Sequence, residues 1–405
     1  MLIAVIGGGP AGMMAAYAAA EQGANVTLFD RNEKLGKKLF ISGKGRCNLT
    51  NDSDFNEHIA NVVTNPRFMY SAYKALTPRD LMQMIESTGV PLKTERGNRV
   101  FPVSNKSSDI LSALKRLLSY YPIQICLNER VLSVTKAGES FSLRTDVRTY
   151  TYDKVIVCTG GNTYQATGST GDGYSFARAF GHSIEPLRPA LVGLKADVPT
   201  ELAGLSLKNV RFVVEKEKGV VAEEFGEMLF THSGISGPIV LTVSSRINKM
   251  DLSSLSFHID LKPAITAETL DERLLREFSA APNKSLKNVL HALMPRSLIS
   301  YVIENARING DIPVHSVTKK ARTSLATVLK SLPIRVTGFE EFNGAIVTSG
   351  GVKVTEIDPK NMQSKLVPGL YFAGEVLDVD ALTGGFNLQI AFSTGYLAGM
   401  SAANG

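Results

Sequence analysis

An α/β fold is predicted for this 405-residue chain by three observations. The run Leu2 to Ile6 is short and wholly apolar; Gly7, Gly9 and Gly12 follow with the spacing of a dinucleotide-binding turn; and a second apolar run, Val26 to Phe29, ends on Asp30. Together they read as a strand, turn, helix and strand of Rossmann type.

The first run lacks polar alternation, as a strand buried on both faces should. Gly7 permits the tight turn, Gly9 lets a pyrophosphate approach the backbone, and Gly12 lets the helix pack close to the strand. A helix is expected over 10–22. Pro10 suits its first turn, where a missing N–H costs nothing, and Gly23 closes it. The helix N-terminus turns partial positive charge toward phosphates. Asp30 stands at the ~20-residue offset where a carboxylate accepts hydrogen bonds from an adenosine ribose and repels a 2′-phosphate.

"ISGKGRCNLTN", Ile41 to Asn51, has neither helical nor strand period. It is not a Walker loop, because Lys44 is followed by Gly45 rather than Ser or Thr. Cys47 has no neighbouring histidine to activate it and reads as a packing residue. What remains is a glycine-rich basic loop suited to lying along a diphosphate or an electron-rich ring. Further on, Asp153 to Cys158 reads as a buried strand closed by Thr159, Gly160 and Gly161. "GLYFAGE" reads as another, ending on Gly374 and Glu375, and a glycine turn at Gly385 leads into a helix from about Asn387. Such a helix N-terminus stabilises negative charge placed against it.

Between 191 and 263 short alternating runs such as "VRFVVE" suggest antiparallel strands. From 264 to 335 the period becomes helical, with Leu270, Leu274 and Phe278, then Leu286, Val289, Leu290 and Leu293. The expected organisation is a dinucleotide-binding domain over 1–190 plus 336–405, a β domain over 191–263 and a helical domain over 264–335.

Composition excludes a disordered chain: 44% of residues are hydrophobic and 20% charged. The net charge of +6 and pI near 9.0 are a mild bias that suits anionic ligands without requiring nucleic acid. Three widely spaced cysteines, Cys47, Cys126 and Cys158, indicate neither a disulfide framework nor a metal site, and suggest a reducing compartment. No apolar run approaches the ~20 residues that span a bilayer, so a cytoplasmic protein without membrane attachment is expected.

"GGGPAGMMAA", "LGKKLFISGKGRCNLTN", "VIVCTGG", "MLFTHSGISGP", "AIVTSGGV" and "GLYFAGEVLDVDALTGGFNLQIAFSTGYLAG" occur in that order, and through them the chain resembles the BaiN/YhiN-type, aminoacetone oxidase-like family of FAD-dependent flavoproteins from Leu2 to Gly399. The resemblance implies non-covalent FAD in a Rossmann-like domain of glutathione-reductase type, carrying an inserted β-barrel-like domain and a helical domain. It implies FAD contacts from Ala11, Arg31, Lys38, Ser42, Gly43, Arg46, Cys47 and Asn48, from Val131 at the adenine, and from Thr159, Gly160, Gly161, Gly374, Glu375, Gly385, Asn387, Leu388 and Gln389, beside Gly7, Gly9, Pro10, Gly12 and Asp30 of the first turn.

The activity so implied is hydride transfer between flavin N5 and an organic substrate. The expectation is NAD(P)H-dependent reduction of an activated C=C bond, in a bile-acid or steroid enone or in uridine of ribosomal RNA. The alternatives are oxygen-dependent oxidation of an amine such as aminoacetone, and an RNA-binding protein whose flavin is structural. No second strand-coupled glycine fingerprint occurs, and "GSTGDG", Gly168 to Gly173, has the wrong spacing, so NAD(P)H is expected only as a transient electron donor. His232 and Ser233 are candidates to face the flavin. Lys319, Lys320 and Arg322 offer a basic face that RNA could use.

Overall fold

The computed structural model describes residues 1–405. The chain forms two units, Met1–Pro189 with Ala345–Gly405, and Ala190–Gly344.

The first unit is built on a five-stranded parallel sheet in the order Leu370–Phe372, Lys154–Val157, Leu2–Ile6 (β1), Asn25–Phe29 (β2) and Gln124–Cys126. β1 is central, and Ile3, Ala4 and Val5 are fully buried, as the unbroken apolar run predicts. Helix α1 spans Pro10–Glu21, with Gly9 as its N-cap and every residue from Ala11 to Ala20 buried. A helix apolar on all sides must be enclosed, and its partner is the C-terminal helix Phe386–Asn404, equally apolar. The two backbones touch. A Cβ added at Gly395 would stand 2.3 Å from the Ala11 carbonyl oxygen, and one at Gly399 would stand 2.2 Å from that of Ala15. Residues four apart share one helix face, so a ridge of glycines meets a ridge of alanines.

Smaller sheets surround this core. Val131–Ala137, Ser140–Thr145 and Thr149–Tyr152 form an antiparallel meander, and Thr50–Asn51, Arg99–Pro102 and Leu92–Glu95 form another three-stranded sheet. The stretch expected to be wholly irregular is helical at its start. Lys37–Gly45 carries a break inside it, where Ser42 is extended and Gly43 and Lys44 adopt left-handed φ of 58°.

The second unit holds a seven-stranded antiparallel sheet in the order Leu332–Pro333, Ser256–Asp260, Ser206–Lys216, Gly219–Phe230, Gly234–Ser236, Leu194–Asp197 and Arg335–Phe339. Its two edge strands are separated in the chain by Ile334 alone. The helices Ala267–Ala280, Arg296–Ala306 and Lys319–Lys330 do not form a core of their own: Leu270, Leu274, Phe278, Leu286 and Leu290 share one apolar cluster with Phe212, Val214 and Ile259 of the sheet. The expected division near 263 is therefore absent. The first unit resumes at Ala345 rather than 336, because Arg335–Phe339 pairs with Leu194–Asp197 and stays with the inserted unit.

Two buried histidines tie elements of the first unit together. His58 Nε2 donates to the Asn51 carbonyl over 2.9 Å between the rings of Tyr73 and Phe386. His182 lies between Glu356 (3.1 Å) and Ser364 (2.8 Å), against Phe372. Burial pushes both imidazoles below their ordinary pKa of 6.5. The unfolded chain then binds protons that the folded chain refuses, so their stabilising contribution is complete above 6.5 and is lost as pH falls through and below that value. Urea midpoints measured from about pH 7.5 to about 5.5 are expected to fall, and His58→Gln or His182→Gln to flatten the slope; a flat or rising wild-type profile contradicts this assignment.

Candidate functional site

The glycine turn after β1, the end of β2 and the start of the C-terminal helix converge on one cavity. Its walls include Gly7, Gly9, Pro10, Ala11, Asp30, Arg31, Lys38, Ser42, Val131, Thr159, Gly160, Glu375, Asn387 and Leu388, all singled out in the sequence. The three glycines of the turn do different work. A Cβ on Gly12 would stand 1.7 Å from the Gly7 carbonyl oxygen, and one on Gly7, whose φ is +105°, 2.4 Å from that of Cys158. Both positions serve packing. A Cβ on Gly9 would meet nothing within 4 Å, although Gly9 lines the cavity, so its missing side chain keeps space open for a ligand.

Two helix N-termini face this space. The first N–H groups of a helix have no partner within it. At α1 these include Ala11; at the C-terminal helix, whose first internal bond is from Gln389 N–H to Gly385 O, they include Asn387 and Leu388. Dipole and free donors favour negative charge at both places.

The charged groups on the walls are held in place. Asp30 accepts from Gly8 N–H (2.7 Å) and from Asn32 N–H and Nδ2 (2.8 Å each); burial pushes its carboxyl up, against the pull of these donors. Asp172 takes a bidentate contact from Arg130, 3.0 Å on each oxygen, and a 3.5 Å contact from Arg31. Arg31 also donates to Thr170 (2.7 Å), and Asn32 Nδ2 to the Thr167 carbonyl (3.1 Å). These contacts tie the stretch 167–172 to the end of β2. "GSTGDG" is therefore part of this same cavity wall and not a second dinucleotide site. Lys38 lies between Glu375 (2.6 Å) and Thr163 (2.7 Å), and Thr348 N–H holds the other Glu375 oxygen at 2.9 Å. The Thr159 hydroxyl is buried on the wall without a partner.

Other expected site residues lie elsewhere. Cys47 is completely buried at a left-handed φ of 56°, away from the walls, and burial pushes its thiol up to about 12, which makes it inert packing. Gln389 is also buried away from the cavity, where it bonds Thr50, Leu76 and Ser393 and anchors the C-terminal helix. Gly161, Gly374 and Gly385 act through backbone: a Cβ on them would strike Thr348, Ala11 and the Thr50 carbonyl respectively. Gly43, Arg46 and Asn48 line a second, more open cavity with Asn51, Arg99 and Phe386. The two cavities adjoin along the chain, since Ser42 and Asn387 line the first and their neighbours Gly43 and Phe386 line the second. Gly8, Asn32, Glu129, Arg130 and Asp172 were missed. Arg130 had a signal, being next to Val131; Asp172 had none until folding brought it to Arg31.

His232 and Ser233 belong to the second unit and are exposed, with Ser233 donating to Glu340. Arg322 is committed to Asp271 in a bidentate pair at 2.7 and 3.1 Å, which removes one cation from the expected basic face.

Comparison with known proteins defines the class first. The 3-ketosteroid delta1-dehydrogenase of Sterolibacterium denitrificans has the same fold at a TM-score of 0.53, with 13% identity and 99% of each chain covered. The 3-ketosteroid-delta4-(5alpha)-dehydrogenase of Rhodococcus jostii RHA1 does so at 0.50, with 14% identity, covering 100% of this chain and 96% of that one. The molecule has an FAD-binding Rossmann-like α/β fold with antiparallel inserted strands. Within that class, the chain belongs to the family whose model is described as HI0933-like protein Rossmann domain, which matches residues 1–401. It is 31% identical to the 3-dehydro-bile acid delta(4,6)-reductase of Clostridium scindens, over 99% of this chain and 98% of that protein. It is 32% identical to the ribosomal RNA dihydrouridine synthase of Escherichia coli, over 97% and 95%. The family agrees with the resemblance read from the motifs. No helix is long and apolar enough to cross a membrane.

The cavity fits FAD: a glycine whose side chain would fill it, two helix N-termini and an acidic residue at the end of β2 are what the dinucleotide requires. Gly9→Val is expected to leave the apoprotein's thermal midpoint within about 2 °C while weakening FAD binding at least about 100-fold. Fluorescence titration with FAD checks it, and unchanged affinity contradicts this role for the turn.

Proposed function

We propose that the chain is an FAD-dependent reductase of a carbon–carbon double bond conjugated to a carbonyl, with NAD(P)H as a transient electron donor. What carries the reading is the convergence on one cavity of the α1 turn and of the free N–H groups at Asn387 and Leu388. Gly9 and the α1 N-terminus would hold the diphosphate, Asp30 the adenosine ribose and Val131 the adenine. Glu375, fixed by Lys38 and Thr348, would take the ribityl hydroxyls. The start of the C-terminal helix would lie at the pyrimidine part of the ring, where its dipole favours electron uptake. Bound there, FAD supplies hydride chemistry at N5.

The substrate reading rests on shared chemistry. A bile acid reduced across a delta(4,6) system beside a 3-oxo group and a uridine converted to dihydrouridine both present an electron-poor C=C next to a carbonyl. These substrates are those of the relatives, and the wall cations Lys38, Arg31 and Arg130 are already paired with carboxylates. Cys47 and Cys158 are buried, and burial pushes both thiols up.

Anaerobic stopped-flow mixing of the reduced protein tests the proposal. A 3-oxo-4-ene steroid acid or a uridine-containing RNA fragment is expected to reoxidise the flavin at least on the order of tenfold faster than dissolved oxygen does. Rapid reoxidation by oxygen alone, with an amine as the donor that reduces the protein, contradicts it.

A further inference from the structure

The second cavity holds an arrangement that the reaction above does not use. Asn51 is 2% exposed and lies on its wall. Its Nδ2 donates to two carbonyls, Gly97 O at 2.9 Å and Gly384 O at 3.0 Å. Turning the amide over would set oxygen against oxygen at both contacts, so the orientation is fixed. Its backbone is held as well, by His58 Nε2 on the carbonyl and by strand pairing with Arg99. The one atom left over is Oδ1, which is buried and accepts from nothing. Buried acceptors are nearly always satisfied, and an exception calls for a reason. A few residues away on the same wall, Asn48 Oδ1 is likewise buried without a partner.

We infer that Asn51, with Asn48 beside it, reads an imide edge, a ring N–H flanked by carbonyls. A locked amide oxygen demands a donor and rejects a bare carbonyl or an anion. The second amide is not locked by any bond to its oxygen, so it can turn either its donor or its acceptor half toward a ring that alternates the two. The cavity also carries Lys44, Arg46 and Arg99 against one carboxylate, Glu57. Arg46 is already paired with Glu95 and stacks 4.0 Å from the Phe101 ring centroid, so the surplus charge falls to Lys44 and Arg99. That surplus suits an imide carried on a phosphate-bearing molecule.

Two molecules bring this chemistry to the place where the cavities adjoin. One is the flavin, whose pyrimidine ring has an N–H between two carbonyls; the other is a uracil nucleotide, which presents the same edge. The uracil source rests on the function proposed above; the flavin source requires only that FAD binds.

N3-methylation removes the donor and blocks the acceptor in either source. Wild-type apoprotein is titrated with FAD and with N3-methyl-FAD, and the FAD-loaded protein with uridine 5′-monophosphate and its N3-methyl derivative, following flavin absorbance and fluorescence. One N3-methyl ligand is expected to bind at least about tenfold more weakly than its parent, and Asn51→Leu to abolish that difference by weakening the parent alone. Loss in the FAD pair assigns the site to the cofactor; loss in the nucleotide pair assigns it to the substrate. Equal binding within both pairs on wild-type protein overturns the inference. Failure of FAD to bind at all is a separate result and overturns the functional reading instead.

Discussion

Everything in the first unit depends on two helices being able to touch. α1 and the C-terminal helix come from opposite ends of the chain, and each brings its N-terminus to the same cavity. They can do so only because Gly395 and Gly399 let the backbone of one rest against the Ala11 and Ala15 carbonyls of the other. Side chains at these two positions would force the axes apart, and overpacking of this kind typically costs ~1–3 kcal/mol. The alanine-rich sequence of α1 is therefore more than helix propensity. It is a surface kept flat so that a second dipole can be aimed at the ligand of the first.

The electrostatics follow from the same convergence. An anionic dinucleotide is met by dipoles and N–H groups, while most charged side chains on the walls are already paired: Lys38 with Glu375, Arg31 and Arg130 with Asp172. Such pairs are poor at supplying raw affinity, because each ion gives up hydration to form them. Their value here is positional. They fix the carboxylate of Glu375 and the 167–172 stretch before any ligand arrives, so that less ordering remains to be done on binding.

Local signals were legible and distant ones were not. The turn from Gly7 to Gly12 could be read because each glycine answers a requirement within a few residues of itself, and β1, α1 and β2 fell within one residue of their expected bounds. The break at Ser42 was legible as irregularity, but not as a seam dividing Ser42 from Gly43 between two cavities. Gln389 shared a motif with Asn387 and Leu388, yet two residues of helix turn it from the cavity toward Thr50 and Leu76. The second unit was misdivided because helical periodicity ends at Leu332 while the sheet does not: Leu332–Pro333 and Arg335–Phe339 close it from beyond the helices. No short window contains that information. Asp172 and Asn51 acquire their roles from partners tens to hundreds of residues away, which only the folded chain brings within reach.

The most direct measurement is a calorimetric titration of apoprotein with FAD, wild type beside Gly399→Val. If the helix contact is what assembles the site, wild type binds one FAD per chain and the variant binds at least about tenfold more weakly, a difference of ~1.4 kcal/mol. A Gly399→Val protein that takes up FAD with wild-type affinity would contradict the account.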